Sequence, residues 1–254
     1  MDSSIVYLCE DTPDGLLTAI YRANADKAPL RSIRIRTQKQ LAYELFTEYR
    51  EVASDYVSAV KVMDAINLHI SMQAGHMVYC ALLSDTEDRG DRVLRFLLTG
   101  FRYGAKVYDM LAIPEVADLF DLQRKVSNEA HYFREFLRFS QSGQGILFAR
   151  ISPKSNVLPL IAPYFTDRLP SENFLIFADT YDLAAIHPQN AGWYLAPMTA
   201  GEFEQVLVKD DAEADWEACF KAFHRTIAIQ QRANPVCQRT HLPLWYRKHM
   251  TEFL

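Results

Sequence analysis

The sequence predicts an α+β protein, and three observations carry that reading. The chain opens on a β-α-β-like pattern, stretches between residues 55 and 139 repeat their apolar residues at helical spacing, and strand-like runs return after Gly143 and Gly145. Glycine is scarce, 9 in 254 residues, which argues against an all-β chain or one built on Gly-rich loops. The whole of 1–254 reads as one unit, with sub-regions at 1–142, mainly helical, and 143–254, α+β. The weakest boundary is the polar run 140–145.

Ile5 to Leu8 form a short apolar strand. Asp11-Thr12-Pro13 then gives a helix start, a capping residue followed by a proline suited to the first turn, with Leu16, Leu17, Ile20 and Tyr21 as the apolar face. Arg31 to Arg36 alternate strictly, as a strand with one polar face does. From Asp55 to about Leu111 the period is helical, with Val57, Val60, Met63, Ile66, Leu68, Ile70 and Met77 on the pattern. Ser84-Asp85-Thr86 breaks it and caps a second helix. Pro114 begins a third, reaching about Phe139. Three long helices on short links predict an antiparallel bundle. Strands are expected at 146–151, 173–179, 183–186 and 193–196, with a helix at 156–169. That order, β-α-β-β-β, predicts an antiparallel sheet covered on one face. Residues 202–232 read as helical and 242–253 as an amphipathic tail helix.

Composition bounds the function. The chain is 49% hydrophobic and 23% charged, an ordinary globular balance, and its net charge of −5 excludes a globally basic nucleic-acid binder but not a local basic patch. Its cations are 18 Arg and 9 Lys, and Arg is the better bidentate partner for phosphate. Cys9, Cys80, Cys219 and Cys237 form no C-x-x-C pair. They read as free thiols in a reducing cytosol, so no cofactor, zinc or iron–sulfur centre is expected. His69 and His76 sit two helical turns apart, about 10 Å, too far for one ion. The start of the chain lacks a signal-peptide pattern and no membrane span is expected, so the predicted location is cytoplasmic. No P-loop, G-x-G-x-x-G, G-x-S-x-G or H-E-x-x-H occurs.

The third helix holds the most informative pattern. Leu119, Leu122, Val126, Ala130, Phe133 and Leu137 share one face, and Tyr132, Phe136 and Phe139 a second. Between them runs a polar stripe of Arg124, Asn128, His131, Arg134, Glu135 and Arg138. Arginines beside a histidine suit a phosphate or carboxylate, and His131 is the candidate acid or base, with Glu135 one turn away. The competing reading is a solvated face of one-turn charge pairs. Arg168, just past the proline-containing helix, is placed in the same groove. A second candidate is the acid-free stretch Lys221 to Met250, which follows an acidic run from Glu202 to Glu217. There Arg239, Trp245, Tyr246, Arg247 and Lys248 interleave charge with flat rings, as single-stranded nucleic acid needs. Its competing reading is a tail docked on the acidic segment of the same chain.

An ordered set of short motifs resembles an uncharacterised bacterial family described as probable DNA metabolism proteins. They are Val6 to Asp11 with Asp14-Gly15; Gly100-Phe101-Arg102-Tyr103-Gly104; Glu129-Ala130-His131; Ile151-Ser152-Pro153 with Asn156-Val157; Ala162-Pro163-Tyr164-Phe165 with Arg168; Arg232 to Pro235; and Leu242-Pro243, Tyr246-Arg247 and Met250 to Phe253. The resemblance runs over nearly the whole chain. It implies a DNA-linked role, a radical-SAM protein of DNA modification or repair as partner, and kinship with domains fused to uracil-DNA-glycosylase-like domains. It brings no catalytic residues, and Tyr164 stands where family members are expected to carry histidine. The expected function is therefore a DNA-binding or adaptor subunit. The alternatives are an enzyme acting on a nucleic-acid phosphate or base through His131 and its arginines, and a small-molecule-binding domain.

Overall fold

The structure is a computed structural model and describes residues 4–27, 29, 32–38, 44–206, 211–227 and 234–253. The protein is α+β, and the chain divides into two compact units, Met1–Val126 and Ser127–Leu254. Arg31, at the start of the expected second strand, Lys209 and Asp210 in the acidic run, and Arg232-Ala233 lie outside the described residues.

In the first unit, β1 (Ser4–Cys9) is flanked by β2 (Ile33–Thr37) and β3 (Thr47–Val52), in the order β2-β1-β3, both pairs parallel. Central β1 is buried from Ile5 to Cys9, whereas in edge β2 only Ile33, Ile35 and Thr37 turn inward. Burial pushes the Cys9 thiol up to about 12, so it behaves as a core side chain. α1 (Pro13–Ala25) crosses between β1 and β2. Its N-cap is Thr12, whose hydroxyl accepts from Gly15 N at 3.0 Å. A Cβ on Gly15 would stand 2.6 Å from the Glu10 carbonyl, so only glycine lets this turn close.

The helical stretch that follows is broken more often than its period suggests. α2 (Tyr56–His69) stops at Ile70, and Ser71 caps α3 (Met72–Leu82) by accepting from Ala74 N. Val57 and Leu68, expected inward, are exposed, because α2 buries Ser58, Ala59, Val62 and Ile66 instead. α4 spans Arg89–Tyr103, beginning after the expected cap: Asp88 makes no capping bond and pairs with Arg92. α4 lies against edge strand β2 at Gly90, where a Cβ would meet Ile35 Cγ2 at 2.8 Å. That approach brings Asp91 to the strand edge. Its carboxylate accepts from Ile35 N at 2.7 Å and pairs with Arg36 at 2.6 Å. Buried Arg89 pairs with Asp11 and donates to the Leu82 carbonyl.

α5 (Pro114–Phe136) contains the boundary between the units. Val116, Leu119 and Leu122 join the first unit's core. The second unit holds a five-stranded sheet, β4 (Ser140–Gln141), β5 (Leu147–Ile151), β6 (Phe174–Ala178), β7 (Leu183–His187) and β8 (Tyr194–Pro197), paired in chain order. The expected antiparallel sheet is in fact mixed. α6 (Leu158–Arg168) carries the chain across one face, so β6 returns parallel to β5, while the remaining pairs are antiparallel. Every residue of β6 is buried, which requires cover on both faces. Phe148, Leu175 and Phe177 pack with Phe203 of α7 (Ala200–Val206), its ring stacked on Phe177 at 4.7 Å. Phe174 meets Phe139, which packs edge-on against Phe165 of α6.

α8 (Asp211–Ile227) and α9 (Pro235–His241) follow. The expected tail helix over 242–253 does not form. Pro243 interrupts it, and two 3-10 turns, Leu244–His249 and Thr251–Phe253, take its place.

Candidate functional site

The end of α5 and the length of α6 border a cavity of about 680 Å³, lined by His131, Arg134, Glu135, Phe139, Tyr164 and Arg168 among others. Ala130 and Phe133 of α5 are buried, so the intervening turn presents His131, Arg134 and Glu135 outward. His131 pairs with Glu135 at 3.1 Å. Arg134 donates to the Leu160 carbonyl at 2.5 Å, with its guanidinium 6.0 Å from the centre of the Tyr164 ring. The Arg168 side chain makes no ion pair or hydrogen bond among the described residues. The cavity thus joins two arginines that have no carboxylate partner among the described residues to a floor of Phe139, Phe165 and Tyr164. The arrangement can take an anion at the arginines and a flat or apolar group on the rings.

The other arginines of the stripe are placed elsewhere. Arg124 belongs to the first unit and pairs with Asp121 on the surface. Arg138 turns to Glu252, a carboxylate 4% exposed, at 2.8 Å, and fastens the end of the chain.

Most of the basic, aromatic C-terminal segment is engaged within the second unit. Trp245 Nε1 donates to the Ser152 carbonyl at 2.8 Å, and Tyr246 stacks on Tyr132 at 4.6 Å and meets Phe133 edge-on. Burial, with Glu129 nearby, pushes the Tyr246 phenol well above its usual value. Arg247 lies over the Phe253 ring at 4.6 Å, and Arg239, on α9, is exposed without an acidic partner among the described residues. Among the described residues the segment docks on its own chain, with Trp245, Lys248 and His249 at Ser152 and Asp179.

Ser152 and Asp179 follow β5 and β6 directly, so the parallel pairing sets them side by side. Ser152 Oγ donates to Asp179 Oδ2 at 2.8 Å, accepts from Lys248 Nζ at 2.8 Å and lies 2.8 Å from His249 Nε2. Arg150 reaches Asp179 from β5 at 3.3 Å. The sequence reading missed this cluster, because its members come from positions 150–152, 179 and 248–249. The signal within reach was Ile151-Ser152-Pro153, which carries no spacing rule. Among the described residues, no three His, Cys, Asp or Glu side chains gather as a metal site. No described helix is long and apolar enough to cross a membrane.

The cluster sets a pH dependence. Burial pushes the His249 imidazole down to about 4, with Lys248 and Arg150 adding and Asp179 opposing. The unfolded chain takes up a proton near 6.5 while the folded one stays neutral. This contribution is complete above pH 6.5 and is lost as the pH falls towards 4, on the order of 3 kcal/mol in all. Burial opposes ionisation of Asp179, yet the Ser152 hydroxyl and the cations of Lys248, Arg150 and His249 hold its carboxyl below the ordinary value. Its contribution fades only at lower pH. Urea unfolding at pH 7.5 and 4.5 is expected to show the His249 loss in the wild type and a much smaller one in His249→Gln. An equal loss in both would place the effect elsewhere.

Residues 87–252 match the family described as a domain of unknown function, DUF4130. No curated protein matches the chain. A solved structure of the pGpG-specific phosphodiesterase PggH from Vibrio cholerae aligns over 73% of this chain and 81% of that one, at 9% identity and a TM-score of 0.28. A score that low carries no argument about fold or activity.

Proposed function

The chain belongs to the DUF4130 family, and we propose that this member binds single-stranded DNA through the cavity between α5 and α6. The observation behind this reading is the pairing of Arg134 and Arg168, cations without carboxylate partners among the described residues, with Tyr164 and Phe139 in one cavity. Phosphates bind at the guanidinium groups and an unstacked base lies on the rings. Exposed Arg239 adds a backbone contact. His131, held by Glu135, donates a hydrogen bond to the strand and is the group for proton transfer if the bound nucleotide is altered. In keeping with the sequence resemblance, the protein serves as the DNA-holding partner of a radical-SAM enzyme.

Fluorescence anisotropy with a labelled oligonucleotide at low salt tests this. Arg134→Ala and Arg168→Ala are each expected to weaken binding about tenfold, the loss of one charge-assisted contact. The double variant is expected to flatten the salt dependence by about 1.4 slope units, two phosphate contacts on a single strand. Both residues are exposed, so the melting temperature should hardly move. Undiminished affinity in the double variant would refute the cavity as the site.

A further inference from the structure

A second site lies outside that cavity, at the carboxyl ends of β5 and β6. They form the parallel pair of this sheet among the described residues, and the carboxyl edge of parallel strands is where α/β sheets place their chemistry. Ser152 leaves β5 there with its hydroxyl held by three groups at 2.8 Å: Asp179, His249 and Lys248. A hydroxyl has one proton to give. With Lys248 always donating to Oγ, that proton belongs either to the Asp179 carboxylate or to His249 Nε2, and passing from one to the other needs only rotation about the Cβ–Oγ bond. In the second arrangement the serine faces a neutral imidazole able to accept its proton, an ammonium group lies beside the oxygen, and a carboxylate 3.7 Å from Nε2 would stabilise the imidazolium. Nucleophile and base are then within hydrogen-bonding reach, with a carboxylate near enough to attract the imidazolium.

We propose that Ser152 is a nucleophilic serine that attacks phosphorus in an anionic phosphate ester. The charges around it point to that class. Three cations gather at this end of the sheet: Arg150 pairs with Asp179 and Glu204, Lys248 with Asp179, and the Lys154 ammonium lies over the Trp245 ring, a set suited to an anionic rather than an uncharged ester. Ser152 itself is 6% exposed, and the Lys248 side chain that covers it is 60% exposed, so a substrate would enter from that side. In the step itself, Oγ forms a bond to phosphorus, the ester oxygen leaves as an alkoxide, and the serine proton passes to His249 Nε2. The alkoxide takes that proton back from the imidazolium. Water then hydrolyses the phosphoserine ester and restores the hydroxyl. Lys248 stabilises the charge that builds on the phosphoryl oxygens. The site does not depend on DNA binding in the α5–α6 cavity and can fail without touching that proposal.

The test is labelling of the full chain with a fluorophosphonate, in which Oγ displaces fluoride from phosphorus, followed by peptide mass spectrometry. The adduct is expected on Ser152. Labelling is expected to slow at least tenfold in Lys248→Met, an exposed position that should leave the fold intact by circular dichroism. The rate is expected to be flat from pH 5.5 to 8, because the buried imidazole is neutral throughout, whereas an ordinary histidine would give a rise near 6.5. Turnover of bis(p-nitrophenyl) phosphate that disappears in Ser152→Ala would support the substrate class. A folded wild-type protein that takes up no label, or takes it on another serine, would overturn the proposal and leave Ser152 as the node that fastens the C-terminal segment.

Discussion

Replacing Asp91 with alanine is expected to destabilise the first unit by about 3–5 kcal/mol, the cost of removing one partner from a buried ionic contact. Asp91 is 4% exposed, and its two oxygens have separate duties. Oδ1 accepts from Ile35 N, on the side of edge strand β2 that faces away from β1, and Oδ2 pairs with Arg36. Alanine leaves a buried N–H without an acceptor and a guanidinium without its counter-charge, and each adds its desolvation penalty. It also uncovers a strand edge, a template for pairing between molecules. Asp91→Asn keeps the acceptor for Ile35 and loses only the charge, so its effect should be less than half as large. Urea denaturation followed by circular dichroism separates the cases: the order wild type, Asn, Ala in midpoint is expected. A midpoint for Asp91→Ala equal to that of the wild type would show that the edge bond is replaced by water.

The contact that Asp91 makes was not legible in the sequence, although the helix that carries it was. Asp85, Glu87, Asp88 and Asp91 all lie around the start of α4, where acids suit the helix dipole. Only Asp91 turns inward, because Gly90 lets α4 approach Ile35, and no periodicity reports so close an approach. The elements themselves were easier to read. Ile33 and Ile35 alternate cleanly with arginines, and Thr12-Pro13 is a local capping signal, so β2 and the start of α1 follow from neighbours in sequence. β3 escaped notice because Glu48, Arg50 and Glu51 make Thr47–Val52 look like a loop, when it is an edge strand with a wet face. The parallel pairing of β5 and β6 was likewise hidden. It depends on where α6 delivers the chain, and with it on the juxtaposition of Ser152 and Asp179. The α5 stripe was readable by its 100° spacing, but its division was not. Arg134 faces the cavity while Arg138, one turn on, is drawn to Glu252, a residue 114 positions away.

Glu129→Ala is the second large effect expected, a loss of about 3 kcal/mol in the second unit together with loss of order at the carboxyl end of β5. Glu129 is 6% exposed, and its carboxylate accepts from the backbone at two consecutive positions, Lys154 N at 2.7 Å and Ser155 N at 2.9 Å. Among the described residues, this buried carboxylate is held by peptide dipoles and pairs with no cation. Alanine would leave two amides without acceptors, each costing about 1–3 kcal/mol, less whatever water recovers. Glutamine is not a full substitute. Its single carbonyl oxygen can serve one amide well, while its NH2 group confronts the other, so Glu129→Gln should fall between the wild type and alanine. The same loop is held by Tyr181, whose hydroxyl bonds the Lys154 carbonyl, and by Trp245, whose indole bonds the Ser152 carbonyl. Releasing one of three fastenings loosens Ser152 without touching Arg134 or Arg168. Thermal unfolding is therefore expected to drop by roughly 10 °C for a unit of this size, and fluorophosphonate labelling of Ser152 should slow at temperatures where the variant is still folded. Single-stranded DNA binding, measured at the same temperature, should stay near the wild-type value. If DNA affinity falls in step with stability, Glu129 supports the α5–α6 cavity as well, and the two sites are not mechanically separate.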